Sequence, residues 1–250
     1  MSGLNSFAVT PSIVHAPDTP NTFPYRTGMG MISSAEWNVF FDDFVGGVTT
    51  NVPAGWSAAI IDAGATVTID TTATTSANGV LAIADATASE GAAIYLSKGI
   101  QLIAGKRFFL EARIRTDDIT DNVFQIGLSD LTAVVNPEDL WTTTAANLVS
   151  FGILDGSAAT VMLADKSNSG STAQTGTRSI VANTWTTLAI GYDGSKLRGY
   201  VNGKESLTWD RASTTIPTAV ALAPFVGALS GNGAGGNVNL VDYFRFVSER

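Results

Sequence analysis

Cysteine is absent from all 250 residues, which excludes disulfides, thiolate metal sites and thiol catalysis. Histidine occurs once, as His15, inside a proline-rich stretch, so a histidine-centred acid/base site in the body of the protein is not expected. Charge is scarce, at 14% of residues, and positive charge scarcer: residues 1–100 hold Arg26 and Lys98 against eight acidic side chains. With a formal charge of −8, the chain lacks the cations that phosphate contacts require, and nucleic acid is not an expected partner. No apolar run approaches ~20 residues and no basic-then-apolar leader opens the chain, so neither a membrane span nor a signal peptide of its own is expected. Convincing long helical periodicity is missing as well.

What is present is a 45% hydrophobic chain with 25 glycines and runs of Ala, Thr and Ser. A surface made of such small neutral groups suits close packing against other protein. The clearest pattern is WTTLAIGYDGSKLRGYVNGKE, residues 185–205. Leu188, Ile190 and Tyr192 fall on one side of a pleat, as do Leu197, Gly199 and Val201. Asp193-Gly194 and Asn202-Gly203 supply the reversals, because these residues tolerate the positive φ of tight hairpins. The product is a meander. In KRFFLEARIRT, Phe108, Leu110, Ala112 and Ile114 face one way, while Arg107, Glu111, Arg113 and Arg115 face the other with Phe109 among them, as in a sheet packed on one side. WSAAII, ATVTID, GVLAIAD, AAIYLS, NVFQIGLSD, LVSFGILDG, ATVMLAD, SLTWD, TAVALAPFVGALS and VNLVDYFRFVSE continue the series. About twelve short strands with turn signals at sandwich intervals predict an all-β fold of two packed antiparallel sheets.

Residues 1–36 read differently. They hold four of the eight prolines and no sustained period, which argues against a helix or central strand. We read them as an extended arm, with Phe7, Val9, Ile13, Val14, Phe23 and Tyr25 as candidate partner-binding residues. The arm is a tether lying in a groove on a partner, a strap over its own domain, or a disordered tail. Residues 37–250 form the compact domain, opening at WNVFFDDFVGG as a strand covered on both faces. Asp42-Asp43 either bind a cation or end that strand in solvent. Around NPEDLW a turn and a short helical turn are expected, and KSNSGSTAQTGT reads as a flexible exposed tip.

At TWTTLAIGYDGSKLRGYVNGKE the sequence resembles the concanavalin A-like and laminin-G-like jelly rolls, with a Trp-led strand, a Tyr-Asp-Gly turn and a strand closing in Val-Asn-Gly. The opening FFDDF and closing VDYFRF strands fit, since first and last strands are neighbours in that fold. The resemblance covers roughly residues 37–250 and implies a jelly-roll sandwich, a scaffold shared by lectins, glycosidases, adhesion modules and virion proteins. Glycosidases of this class carry Glu-x-Asp-x-x-Glu on one strand. That spacing does not occur here: Glu111 has Arg113 two residues on, and Glu90 is followed by GAAIYL. No catalytic residue is therefore assigned, and the chain is not expected to be an enzyme. Legume-type lectins place calcium ligands on adjoining loops, which makes Asp117, Asp118 and Asp121, with Asn122, weak calcium candidates; no other cofactor is expected. Trp141, Trp185 and Trp209 are either a sugar-stacking platform or core. SGNGAGG lacks the Lys-Ser/Thr ending and following helix of a phosphate loop.

The proline-rich arm, the Thr/Ala/Gly-rich jelly roll and the phrase FFLEARIRTDDITDNVFQIGLSD together look like tailed-bacteriophage structural proteins. The resemblance implies a virion structural protein, a capsid decoration or cement protein made in the host cytoplasm and seated on the capsid surface. Its implied partners are the major capsid protein or other virion proteins and further copies of itself, as trimers or dimers. The alternative is a carbohydrate-binding module of a fibre or adhesin that contacts host glycans.

Overall fold

The computed structural model describes residues 37–44, 52–53, 55–61, 64–70, 79–96, 99–130, 147–153, 160–167, 170–210, 216–218, 220–231 and 236–250. Within them lie sixteen strands: β1 Trp37–Asp42, β2 Trp56–Ile61, β3 Thr66–Asp70, β4 Val80–Ala84, β5 Gly91–Leu96, β6 Ile100–Gln101, β7 Phe108–Thr116 and β8 Asn122–Asp130 in the first half. The second half adds β9 Asn147–Ile153, β10 Thr160–Ser167, β11 Gly170–Ser179, β12 Thr186–Tyr192, β13 Lys196–Val201, β14 Lys204–Asp210, β15 Ala221–Ser230 and β16 Val238–Glu249. Two eight-stranded sheets result. The first runs β14-β13-β12-β7-β16-β4-β3, with β1 also on β16; the second runs β11-β10-β9-β8-β15-β5-β2, with β6 also on β15.

The alternation read in the sequence sets the packing. Phe108, Leu110, Ala112 and Ile114 of β7, Leu188, Ile190 and Tyr192 of β12, and Phe244 and Phe246 of β16 point from the first sheet into one core. They meet Phe124, Ile126 and Leu128 of β8, Val149, Phe151 and Ile153 of β9, and Val226 of β15 from the second sheet. Each side chain thereby leaves water on both sides of the interface, the main favourable term for a sandwich of this size. The turns follow the sequence too: Gly194 has φ 100°, while Asn202 and Gly203 have φ 51° and 70°, the left-handed pair that a two-residue hairpin needs. First and last strands pair antiparallel, Trp37 opposite Glu249.

Four expectations change. Sixteen strands replace about twelve, chiefly because the short β6 and the polar β11 were not read as strands. KSNSGSTAQTGT is largely strand rather than loop: Lys166 and Ser167 belong to β10 and residues 170–177 to β11, which pair from Thr160↔Ser179 to Ser167↔Gly170, while residues 168–169 lie outside the described residues. A strand at a sheet edge has one face and one edge in water, so polar residues suit it. Strand β1 is not covered on both faces; Phe40 packs on the core, but Val39 and Phe41 are 55% and 51% exposed. Asp42 does not end in solvent, since its carboxylate accepts from the Phe44 amide at 2.7 Å and from Trp56 Nε1 at 2.8 Å. NPEDLW and residues 1–36 lie outside the described residues.

Candidate ligand-binding face

On the second sheet, every residue that alternates with the core faces away from the first sheet. These are Gln125, Gly127 and Ser129 on β8, Leu148, Ser150 and Gly152 on β9, Ala223, Phe225 and Gly227 on β15, and Ala93 and Tyr95 on β5. Ala93, Leu148, Ala223 and Phe225 form an apolar cluster of their own, with Tyr95 packed against it. Antiparallel register brings Gln125 between Gly152 and Gly227, and Gly127 between Ser150 and Phe225. The glycines are required where strands and rings crowd: a Cβ on Gly127 would stand 2.9 Å from Phe225 Cε1 and 2.3 Å from the Val149 carbonyl.

Two polar side chains interrupt this buried apolar layer. Gln125 is 2% exposed and Ser150 0%, and neither Gln125 amide atom nor the Ser150 hydroxyl has a hydrogen-bond partner. Native proteins satisfy nearly all buried polar groups, because an orphan costs about 1–3 kcal/mol. A donor, an acceptor and a hydroxyl left open beside Phe225 and Tyr95 match a ligand that offers hydroxyl groups at its edge and C–H groups on its face. None of the outward positions on β2, β5, β8, β9 and β15 carries a charge. The sequence reading missed this site, because Gln and Ser on polar-looking alternations are ordinary; the signal was the run of glycines at 127, 152 and 227 that leaves them room.

The first sheet's outer face differs in kind, since its polar groups are consumed by one another. Glu111 Oε1 accepts from Tyr243 Oη at 2.9 Å and Arg245 Nη2 at 3.0 Å. Burial pushes the Glu111 carboxyl up, against the pull of Arg245 and the Tyr243 hydroxyl, and burial beside Glu111 raises Tyr243. Arg113 pairs with Asp242 at 2.7 Å and lies 5.0 Å above the Trp185 ring. Trp185 thus packs under a cation and Trp209 against the core, so they form no shared sugar platform; Trp141 lies outside the described residues.

The calcium candidates are placed together at one end of the sandwich, yet the Asp117 and Asp118 carboxylates are already engaged by backbone amides. Asp118 Oδ1 accepts from the Thr120 and Asp121 amides, and Asp117 Oδ1 from the Val238 amide at 2.9 Å. Nearby, Asp85 Oδ1 accepts from Gly236 and Asn237; burial raises its carboxyl, with Asp117 and Glu90 adding repulsion. Among the described residues no three acidic or histidine side chains converge as a metal ion requires. The partner-binding candidates Phe7, Val9, Ile13, Val14, Phe23 and Tyr25 lie outside the described residues.

A family model described as the concanavalin A-like lectin/glucanases superfamily (Laminin_G_3) matches residues 93–246. Among solved structures, the fold is similar to that of an endo-1,3-beta-glucanase from Streptomyces sioyaensis, at TM-score 0.59 and 14% identity over 86% of this chain and 97% of that one. It is similar also to arcelin-5, a lectin-like defense protein from Phaseolus vulgaris, at TM-score 0.59 and 10% identity over 85% and 98%. LamAcat from Zobellia galactanivorans matches at TM-score 0.60 and 10% identity over 83% and 96%. No curated protein matches the sequence significantly. These likenesses overturn the expectation that the chain is not an enzyme: glycoside hydrolases share its fold over most of its length, and a missing Glu-x-Asp-x-x-Glu spacing does not remove it from their company. With more than half of its length matched by the family model, the chain belongs to the concanavalin A-like lectin/glucanases superfamily.

Proposed function

We propose that this chain binds carbohydrate on the outer face of its second sheet, with the Gln125 amide and Ser150 hydroxyl hydrogen-bonding sugar hydroxyls and Phe225 and Tyr95 supplying apolar contact. The observation that carries the reading is the unpartnered state of Gln125 and Ser150 within a buried, apolar layer on the outer side of the second sheet. Membership of a superfamily named for lectins and glucanases supports it. The outward positions of β2, β5, β8, β9 and β15 offer no charged group, and the register places Lys166 of β10 opposite Leu148 at the margin of the face; a neutral glycan fits the centre of this face best. Because Gln125 and Ser150 are closed to solvent, entry requires the face to open, and association is slower than diffusion. The capsid-decoration reading rests on sequence resemblance alone, and the similarity to lectins and glycosidases favours the glycan-binding alternative.

The test is a neutral oligosaccharide panel titrated against the full chain, with Gln125→Ala and Ser150→Ala as variants and reducing ends followed in the same wells. We expect binding that each variant weakens at least tenfold, a loss of about 1.4 kcal/mol or more. Binding that survives both changes, or no binding to any glycan, refutes the assignment. Reducing ends released during the titration would show a hydrolase whose catalytic carboxylates lie outside this face.

A further inference from the structure

An apolar groove of about 540 Å³ opens on the side of the sandwich where the two sheets part. Its walls are Asn38, Val39 and Phe40 of β1 and Phe246 of β16 on one sheet, and Leu96, Gly99, Ile100 and Gln101 around β5 and β6 on the other. No lining residue is charged, and the two amides are already engaged. Asn38 donates to Ser248 Oγ and accepts from Arg250 Nε, while Gln101 Nε2 donates to the Thr218 carbonyl at 3.1 Å. What the groove offers a ligand is therefore apolar contact and backbone: among the described residues β1 pairs only with β16, and β6 only with β15, leaving each with an open edge. Open strand edges beside exposed apolar side chains are normally covered, because they otherwise recruit other chains.

We propose that residues 1–36 of the same chain fill this groove as an extended segment. Three properties suit them to it. They run directly into Trp37, so their C-terminal end stands next to Asn38, Val39 and Phe40 on the groove wall. They carry Phe7, Val9, Ile13, Val14, Phe23 and Tyr25 with only Asp18, Arg26 and Glu36 charged, which matches an uncharged apolar lining. Their four prolines bias them to extended backbone, the form that adds to a strand edge, and proline is tolerated at such an edge. Covalent continuity favours the chain's own segment over a second copy, because the tethered segment is present at an effective concentration near the millimolar range.

Gln101 is exposed at the groove wall and the chain has no cysteine, so Gln101→Cys gives a single thiol at the site. Its maleimide labelling rate is measured in the full chain and in the same chain lacking residues 1–30. We expect labelling at least tenfold faster after the deletion, and slowed again when a peptide of residues 1–30 is added. An unchanged rate overturns the proposal. Protection that grows with protein concentration overturns it in favour of exchange between copies. Should the truncated chain fail to fold by circular dichroism, the full-length Ile13→Asp, Phe23→Asp, Tyr25→Asp triple variant takes its place, with the same two outcomes.

Discussion

Individual residues in this sandwich are governed by whether their polar atoms find partners. Gln125 is the sharpest case: its whole amide is buried without a hydrogen bond, a configuration that favours ligand and disfavours the empty fold. Gln125→Met, similar in shape and free of that burden, should raise stability by about 1–2 kcal/mol and the melting temperature by roughly 2–8 °C while glycan binding falls; a scanning calorimetry trace with a lowered midpoint would count against the unpartnered amide. Asp193 is the opposite case. Burial raises its carboxyl, but amide bonds from Lys196 and Ser195, the Ser195 hydroxyl and the Arg198 guanidinium outweigh it and bring the pKa down to about 2. A depressed carboxylate adds stability that is fully present above its unfolded value near 4 and is lost as pH falls through about 2. Asp193→Asn should therefore cost about 1 kcal/mol at neutral pH, after allowance for its partial solvent screening, and a small fraction of that near pH 2; urea melts at the two pH values check this.

Elements in this fold are held in register by where small residues let strands and rings approach. Gly199 on β13 lies opposite Ile190 of β12, and a Cβ placed there would come 2.6 Å from Phe151 Cε2 across the core. The glycine that looks like a weak point in KLRGYVN is thus the socket for an aromatic ring of the other sheet. Gly199→Val should destabilise by about 1–3 kcal/mol through overpacking, and a paired Phe151→Leu should recover part of the loss, as a double-mutant cycle in denaturant would record. The same reasoning explains why the meander was readable in advance and β11 was not. Apolar alternation and Asp-Gly or Asn-Gly turns are local signals, whereas the polar β11 is strand only because β10 offers it an edge to pair with.

As a whole molecule, the chain presents two sheet faces of unlike character. One is closed by Glu111, Arg245, Tyr243, Arg113 and Asp242 satisfying each other; the other leaves Gln125 and Ser150 open in uncharged surroundings. Recognition of a neutral ligand on the second face involves no ion pair to screen. Raising salt from 50 to 500 mM should accordingly leave the glycan dissociation constant within about twofold, measured by calorimetry; a steep salt dependence would move the binding surface to charged residues elsewhere.

The fold class, the phase of β7, β12 and β13, the two hairpin turns and the adjacency of first and last strands were all legible in the sequence. All but the last depend on neighbours two residues apart or on turn chemistry within four, and such local constraints survive without knowledge of the partner strand; the adjacency of first and last strands was implied by the family resemblance. The fate of Asp42 was not legible, because Trp56 reaches it only when the ends of β1 and β2 meet across the two sheets. Nor was the candidate site. Gln125, Ser150 and Phe225 stand on three different strands, far apart in the chain, and only the ladder pairing of β9, β8 and β15 brings them onto one face. Whether a buried amide lacks a partner is a property of everything packed around it, so tertiary structure alone decides it.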